Sequence, residues 1–238
     1  MKPLAIVTGS NGQLGNSFVN TIIEQGYRVL GVDLQPSDII NDSYEHFVFD
    51  ISSEKEVSAF FDSIEDKIDV LVNNAGIGVF TPMEKRTAEE FISVMNVNLL
   101  GTFLMSRATI TNMQKHGGGS IINIASIYGS VSSDYRIYGD SGRNNSEVYS
   151  MTKAGVIQFA RYVAANYAHR GIRMNCISPG GIYRNQNEFF VKNYINKTPA
   201  QRMGDVADLQ SAINFLINPK SSYVNGQDII VDGGFSSW

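Results

Sequence analysis

Short apolar runs alternate with amphipathic stretches along almost the whole chain, and that alternation leaves few folds open. Pro3 to Val7, Tyr27 to Val32, His46 to Phe49, Asp69 to Val72, Ser120 to Ile124, Ile172 to Ile177 and Asp228 to Val231 read as strands. Between them, residues 13–25 place Leu14, Phe18, Val19, Ile22 and Ile23 at helical spacing. Glu54 to Ile64 follows Ser53, a suitable N-cap. Ala88 to Val97, Leu99 to His116, Val148 to Ala168 and Val206 to Ile217 complete the helical set. Such alternation builds a parallel sheet with helices on both faces, an α/β doubly wound fold. No linker, repeat or low-complexity tract interrupts it, so residues 1–238 are read as a single domain. Ligands of such sheets bind at the carboxyl ends of the strands.

The first strand runs into Thr8-Gly9-Ser10-Asn11-Gly12-Gln13-Leu14-Gly15. Glycines permit a tight turn and close approach to a pyrophosphate, and the helix that follows offers free N–H groups. The turn therefore predicts a nucleotide site. Asp33 ends the second strand, where a carboxylate accepts from both ribose hydroxyls and repels a 2′-phosphate. No Lys or Arg lies in the glycine turn to offset it, which favours NAD over NADP. Asp50-Ile51 and Asn73-Asn74-Ala75-Gly76 are short polar turns at the ends of the third and fourth strands.

Charge and composition remove other classes. The net charge is −4 with no basic run, against a nucleic-acid partner. No apolar run approaches the roughly 20 residues of a membrane span, and MKPLAIVTGS lacks the pattern of a signal peptide. Cys176 is the one cysteine, so there is no intrachain disulfide and no cysteine-based zinc site. It reads as core, as do Met95, Met105 and Met113. A cytoplasmic protein acting on a small molecule is the expectation.

Tyr149 and Lys153 lie four apart at the start of a helix and share one face. A free Tyr, with a pKa of about 10, is a poor base at neutral pH. A neighbouring ammonium favours its ionised form. The pair suits removal of a proton from an alcohol while hydride leaves its carbon.

Taken with the Thr8–Gly15 turn, Asp50-Ile51, Asn73 to Gly76, Val97-Asn98-Leu99, Ser126, Pro179-Gly180, Asn225-Gly226-Gln227 and Asp232-Gly233-Gly234, the chain resembles the short-chain dehydrogenase/reductase family over essentially its whole length. The resemblance implies a Rossmann-type fold and reversible hydride transfer between a carbinol carbon and a nicotinamide. Tyr149 would be the general acid/base. Lys153 would hold the nicotinamide ribose and lower the Tyr149 pKa. Ser126 would bind the substrate oxygen, and Asn98 would hold a water of a proton relay. Gly9, Asn11, Gly12, Gln13, Leu14, Gly15, Asp33, Asp50, Ile51, Asn74, Ala75, Gly76, Tyr149, Lys153, Pro179, Gly180 and Ile182 would contact the cofactor. Relatives pair the helices corresponding to 99–115 and 154–168, which implies a homodimer or homotetramer.

The chain departs from the family at three places. The family's shorter members usually have glycine where Gln13 stands. The glycine spacing here looks more like that of nucleotide-sugar epimerases, but too few residues follow Lys153 for their substrate domain. Ser126 and Tyr149 lie 23 positions apart, against about 13 in most relatives. The extra segment, about 128–146, carries Tyr128, Tyr135, Arg136, Tyr138, Asp140, Arg143, Asn144 and Asn145, and reads as a polar loop at the active-site mouth. Arg184 stands where many relatives have Thr, in a polar and aromatic stretch, Tyr183 to Thr198, that reads as a substrate lid. Arg136, Arg143 and Arg184 suit a phosphorylated or sugar-like substrate. With Ser126 to Gly129 and Ser178 to Ile182, the insertion is similar to members associated with bacterial surface-sugar and flagellin-glycan pathways. An NADPH-linked lipid or acyl ketone reductase would want an apolar loop. A non-catalytic nucleotide sensor would be expected to lose Tyr149, Lys153 or Ser126.

Overall fold

The computed structural model describes residues 2–141 and 143–238. The elements follow in the order β1 (Leu4–Thr8), α1 (Gln13–Glu24), β2 (Arg28–Asp33), β3 (Tyr44–Val48), α2 (Glu54–Asp62), β4 (Ile68–Asn73), α3 (Ala88–Met95), α4 (Thr102–His116), β5 (Gly119–Ile124), α5 (Glu147–Tyr167), β6 (Ile172–Pro179), α6 (Glu188–Lys197), α7 (Gln210–Ile217) and β7 (Asp228–Val231). The seven strands form one sheet in the order β3-β2-β1-β4-β5-β6-β7, and all neighbouring pairs are parallel. The winding direction reverses between β1 and β4, which opens a crevice beyond their carboxyl ends.

Period-two alternation explains why the sheet is buried on both sides. In β1, Leu4 and Ile6 pack with Val57 and Phe60 of α2, Leu104 and Met105 of α4, and Val156 of α5. Ala5 and Val7 face the other way, onto Phe18, Val19 and Ile22 of α1 and Ile213 and Leu216 of α7. Cys176, Met105 and Met113 are fully buried, as the sequence predicts, and Met95 is partly buried. Ser53 caps α2, its side chain accepting from the Glu56 N–H.

Three elements differ from the sequence reading. The stretch from Leu99 does not start as α-helix: Asn96–Gly101 forms a π-turn between α3 and α4. Val206–Leu209 is a 3₁₀ turn ahead of α7. The polar stretch Tyr183 to Thr198 contains α6, whose Phe190, Val191, Tyr194 and Ile195 form one apolar face.

That face meets the insertion. Ile137 and Tyr138 are buried with Ile127, Tyr194, Met203 and Phe235 in a third cluster. Gly139, at φ +52°, leaves room for the Phe189 ring, which lies where its Cβ would be. The insertion is therefore not the wholly polar loop its composition predicts. It carries an apolar anchor between polar residues, and α6 is what that anchor packs on.

Candidate active site

The crevice beyond β1 and β4 is a cleft of about 490 Å³. Its nucleotide half begins at Gly9, whose φ of +63° turns the chain out of β1. A Cβ on Gly9 would lie 2.8 Å from the Ala75 backbone, and one on Gly15 would lie 2.0 Å from the Gly9 carbonyl oxygen. These glycines thus let α1, the turn and the β4 end approach closely. Gly12 caps α1 with no side-chain hydrogen bond and no acidic residue in the first turn, so the helix N-terminus is free for an anion. The Asn74 and Ala75 N–H groups both donate to Thr8 Oγ1, each at 3.1 Å. Asn74 Nδ2 also donates to the carbonyls of Thr8 and Gly9.

Gly9, Gly12, Gln13, Leu14, Asp33, Asp50, Ile51, Asn74, Ala75, Gly76, Pro179, Gly180 and Ile182 all line this cleft. Gln13 does so from the position where the family usually has glycine, and its Nε2 donates to the Tyr183 carbonyl at 2.9 Å. Asn11 and Gly15 stand behind the lining. The Asn11 N–H donates to Asp33 Oδ2 at 3.0 Å, and its Nδ2 donates to the carbonyls of Gln35 and Pro36. Asn11 therefore shapes the loop that presents Asp33. The cradle, the free helix N-terminus and the carboxylate together fit a dinucleotide.

The reacting half is built from β5 and α5. Ser126 lies two residues past the end of β5. Ser146 caps α5, accepting from the Tyr149 N–H at 3.3 Å, and so puts Tyr149 in the helix's first turn. Lys153, one turn on, is buried. Its Nζ donates to the Ile124 carbonyl at 2.7 Å and lies 5.6 Å from the Tyr149 ring centroid. Ser126, Tyr149 and Lys153 share the cleft lining.

Burial governs both titrating groups. It pushes the Tyr149 phenol above its ordinary value, while hydrogen bonding with Ser126 pulls it back. It lowers the Lys153 ammonium to about 8. The sequence reading has Lys153 drawing the Tyr149 pKa down, but here the ammonium turns to Ile124 and desolvation wins. At neutral pH Tyr149 is a proton donor. Two hydroxyls, those of Tyr149 and Ser126, converge on the place where a carbonyl or alkoxide oxygen would sit.

Asn98 does not line the cleft. It sits within the π-turn, 1% exposed. Its Oδ1 accepts from the Ile77 N–H at 2.9 Å, and its Nδ2 donates to the Ile77 carbonyl and to Thr152 Oγ1. With its amide thus engaged, Asn98 acts on the site through the Gly76-Ile77 wall. Thr152, which sequence reasoning passed over, links that network back to Tyr149 by donating to its carbonyl at 2.7 Å.

The three arginines part company. Arg184 lines the cleft. Arg143 lies over the Phe80 ring, 4.2 Å from its centroid. The expectation for Arg136 is corrected: it donates to both oxygens of Asp134, at 2.9 and 2.7 Å, and faces a separate depression beside Trp238. The Asp134 carboxylate, which also caps the turn Tyr135–Ile137, captures the guanidinium two residues away. Sequence reasoning also missed Ile77, Val97 and Phe49, apolar walls of the cleft. Their only signal was adjacency to the polar turns.

Comparison with known proteins agrees with this geometry. The family model described as enoyl-(acyl carrier protein) reductase matches residues 10–236. A 3-oxoacyl-[acyl-carrier-protein] reductase of Vibrio cholerae is 30% identical, covering 97% of this chain and 96% of its own. A short-chain dehydrogenase from Leptospira borgpetersenii, solved with bound NAD+, is 44% identical with a TM-score of 0.94, over 99% of this chain and 93% of that one. A putative gluconate dehydrogenase from Agrobacterium tumefaciens is 31% identical with a TM-score of 0.89, over 99% and 96%. The chain belongs to the short-chain dehydrogenase/reductase family and is an oxidoreductase that interconverts hydroxyl and carbonyl groups with a nicotinamide cofactor.

Proposed function

We propose that the protein is an NAD-linked dehydrogenase/reductase for a secondary alcohol or ketone on a polar, polyhydroxylated substrate. Asp33 carries the cofactor reading. It lines the cleft at the end of β2, and Asn11 fixes the loop around it. A carboxylate there accepts from the ribose hydroxyls and repels a 2′-phosphate. When bound, the cofactor supplies or accepts the hydride. The chain's own residues do the rest. Tyr149 gives or takes the proton at the substrate oxygen, Ser126 orients that oxygen, and Lys153 reaches the ribose side of the cleft. Asn98 keeps Ile77 and Thr152 in place.

The substrate reading rests on the insertion. It packs Tyr128 against the cluster that buries Tyr138, and burial raises the pKa of both phenols. The likeness to a protein named as a gluconate dehydrogenase points the same way. The names of the curated relatives favour a second reading, a 3-oxoacyl thioester reductase, a kind of enzyme that typically uses NADPH. We also propose self-association through α4 and α5, where Phe103, Met151 and Tyr162 are exposed.

Dehydrogenase assays with NAD+ and NADP+ separately, across polyols, aldonates, sugar phosphates and hydroxyacyl thioesters, test the reading. Turnover of a polyhydroxy substrate with NAD+ supports it. Turnover confined to thioesters with NADP(H) overturns it in favour of the second.

A further inference from the structure

Of the basic groups around the insertion and the loop after β4, several are neutralised. Arg86 lies against Glu147, and Arg136 and Lys197 against Asp134. Arg143 differs. Its exposed guanidinium is stacked on Phe80 and forms no ion pair among the described residues. Phe80 sits in the loop leaving β4. Two positions earlier that loop passes the catalytic tyrosine so closely that a Cβ on Gly78 would lie 3.6 Å from the Tyr149 ring.

A guanidinium laid on a ring uses its flat face and keeps its N–H edge for an oxyanion. Stacking also fixes part of the side chain before any ligand arrives, so less entropy is lost on binding. A presented cation beside the loop that passes Tyr149, in a molecule whose cleft is also lined by Arg184, is a poor arrangement for a neutral or greasy substrate and a good one for an anion.

The geometry points to Arg143, presented by Phe80, as the anchor for an anionic group on the substrate, at the opposite end from the carbon that gives or takes hydride. This rests on the proposed function and narrows it: the substrate is a polyhydroxy acid or a phosphorylated polyol. Carboxylate and phosphate share the recognising chemistry, a bidentate pair with guanidinium.

The test compares a six-carbon aldonate, the alditol of the same length and an aldose phosphate, each with NAD+ and the full-length enzyme. Wild type is expected to prefer one of the anionic members over the alditol. Arg143→Gln should raise KM for that member about tenfold, the loss of one charge-assisted hydrogen-bonding pair, while changing kcat by less than about twofold. Arg136→Gln, remote from the cleft, is the control and should leave KM alone. The anion that shows the Arg143 effect identifies the source, carboxylate or phosphate. Equal use of alditol and anions, or an unchanged KM in Arg143→Gln, overturns the anchor and leaves the proposed function standing. Absence of NAD-linked turnover on every member strikes the proposed function instead. The anchor is then judged by calorimetry with a four-carbon dicarboxylate, which should bind wild type and not Arg143→Gln. Equal binding, or none to either, overturns it.

Discussion

The Arg86 guanidinium donates to Glu147 at 2.9 Å and so ties the loop after β4 to the first residue of the helix that carries Tyr149. Arg86 is a long charged side chain only 5% exposed, and it also donates to the Thr81 carbonyl. The contact joins Thr81, the residue after Phe80, to the α5 N-terminus. Arg86→Met should destabilise the protein by about 1–3 kcal/mol, because the half-buried Glu147 carboxylate and Thr81 carbonyl lose their charged donor. It should lower kcat more than it raises KM, since Tyr149 loses its fixed position. Arg86→Lys should recover part of kcat. Thermal unfolding and steady-state kinetics on the two variants check this; equal kcat in all three proteins would reduce the contact to packing.

Tyr149→Phe removes the phenol that lines the cleft with Ser126. Turnover should fall by about 10²–10⁴, the usual worth of a general acid/base. Ser126→Ala should cost about 10²–10³, as for one lost oxyanion donor. Dinucleotide binding, followed by fluorescence titration, should survive both changes because neither residue belongs to the glycine turn.

Lys153 gives a pH signature. Its folded-state pKa is depressed to about 8 by burial, so below that value the folded protein carries an unfavourably buried ammonium. The unfolded chain keeps its proton to higher pH, and stability therefore rises as pH climbs from about 8 toward the ordinary lysine value. The penalty at neutral pH is of order 3 kcal/mol. Relative to wild type, Lys153→Met should be most stabilised at pH 7 and should lose more than half of that advantage by pH 9.5. Melting temperatures of the ligand-free proteins across that range measure it. A difference that does not change with pH would mean that Lys153 is solvated.

Much of this molecule was legible before its coordinates. Strands buried on both faces write continuous apolar runs, so β1, β4 and β6 were found within a residue or two. The glycine turn, Asp33, Tyr149 and Lys153 were legible because their chemistry depends on residue type at short spacing. What escaped depends on partners far away in sequence. The α6 helix has an apolar face only relative to the insertion, and neither segment declares itself without the other. Arg136 looked free until Asp134 captured it. Asn98 was legible as a site residue, but not that its side-chain amide pairs with the backbone of Ile77, 21 positions earlier.

Asp33→Asn should relax the cofactor choice. The substitution keeps an acceptor for the Asn11 N–H, which now holds Asp33 Oδ2, and removes the charge that opposes a 2′-phosphate. The ratio of kcat/KM for NAD+ over NADP+ should drop at least tenfold, mostly through KM. A ratio that stays constant would locate the selectivity elsewhere in the cleft.

Gly12 and Gly15 separate the two jobs of the glycine turn. In a helix interior Ala is favoured over Gly by about 1 kcal/mol, so Gly15→Ala ought to stabilise α1 on propensity alone. Its methyl, however, would stand 2.0 Å from the Gly9 carbonyl oxygen and 2.9 Å from the Asn74 side chain. Backbone cannot yield there without moving the turn, and overpacking of this kind costs about 1–3 kcal/mol or more. Gly12 has a φ of −66° that Ala adopts freely, and its methyl would meet only the Gly9 carbonyl oxygen, at 3.3 Å. Gly15→Ala should therefore lower the melting temperature and abolish dinucleotide binding together. Gly12→Ala should weaken binding, since Gly12 lines the cleft, with little change in melting temperature. Calorimetric unfolding beside cofactor titration distinguishes the two, and a Gly15→Ala protein with wild-type stability would show that α1 does not pack against Gly9 as closely as this.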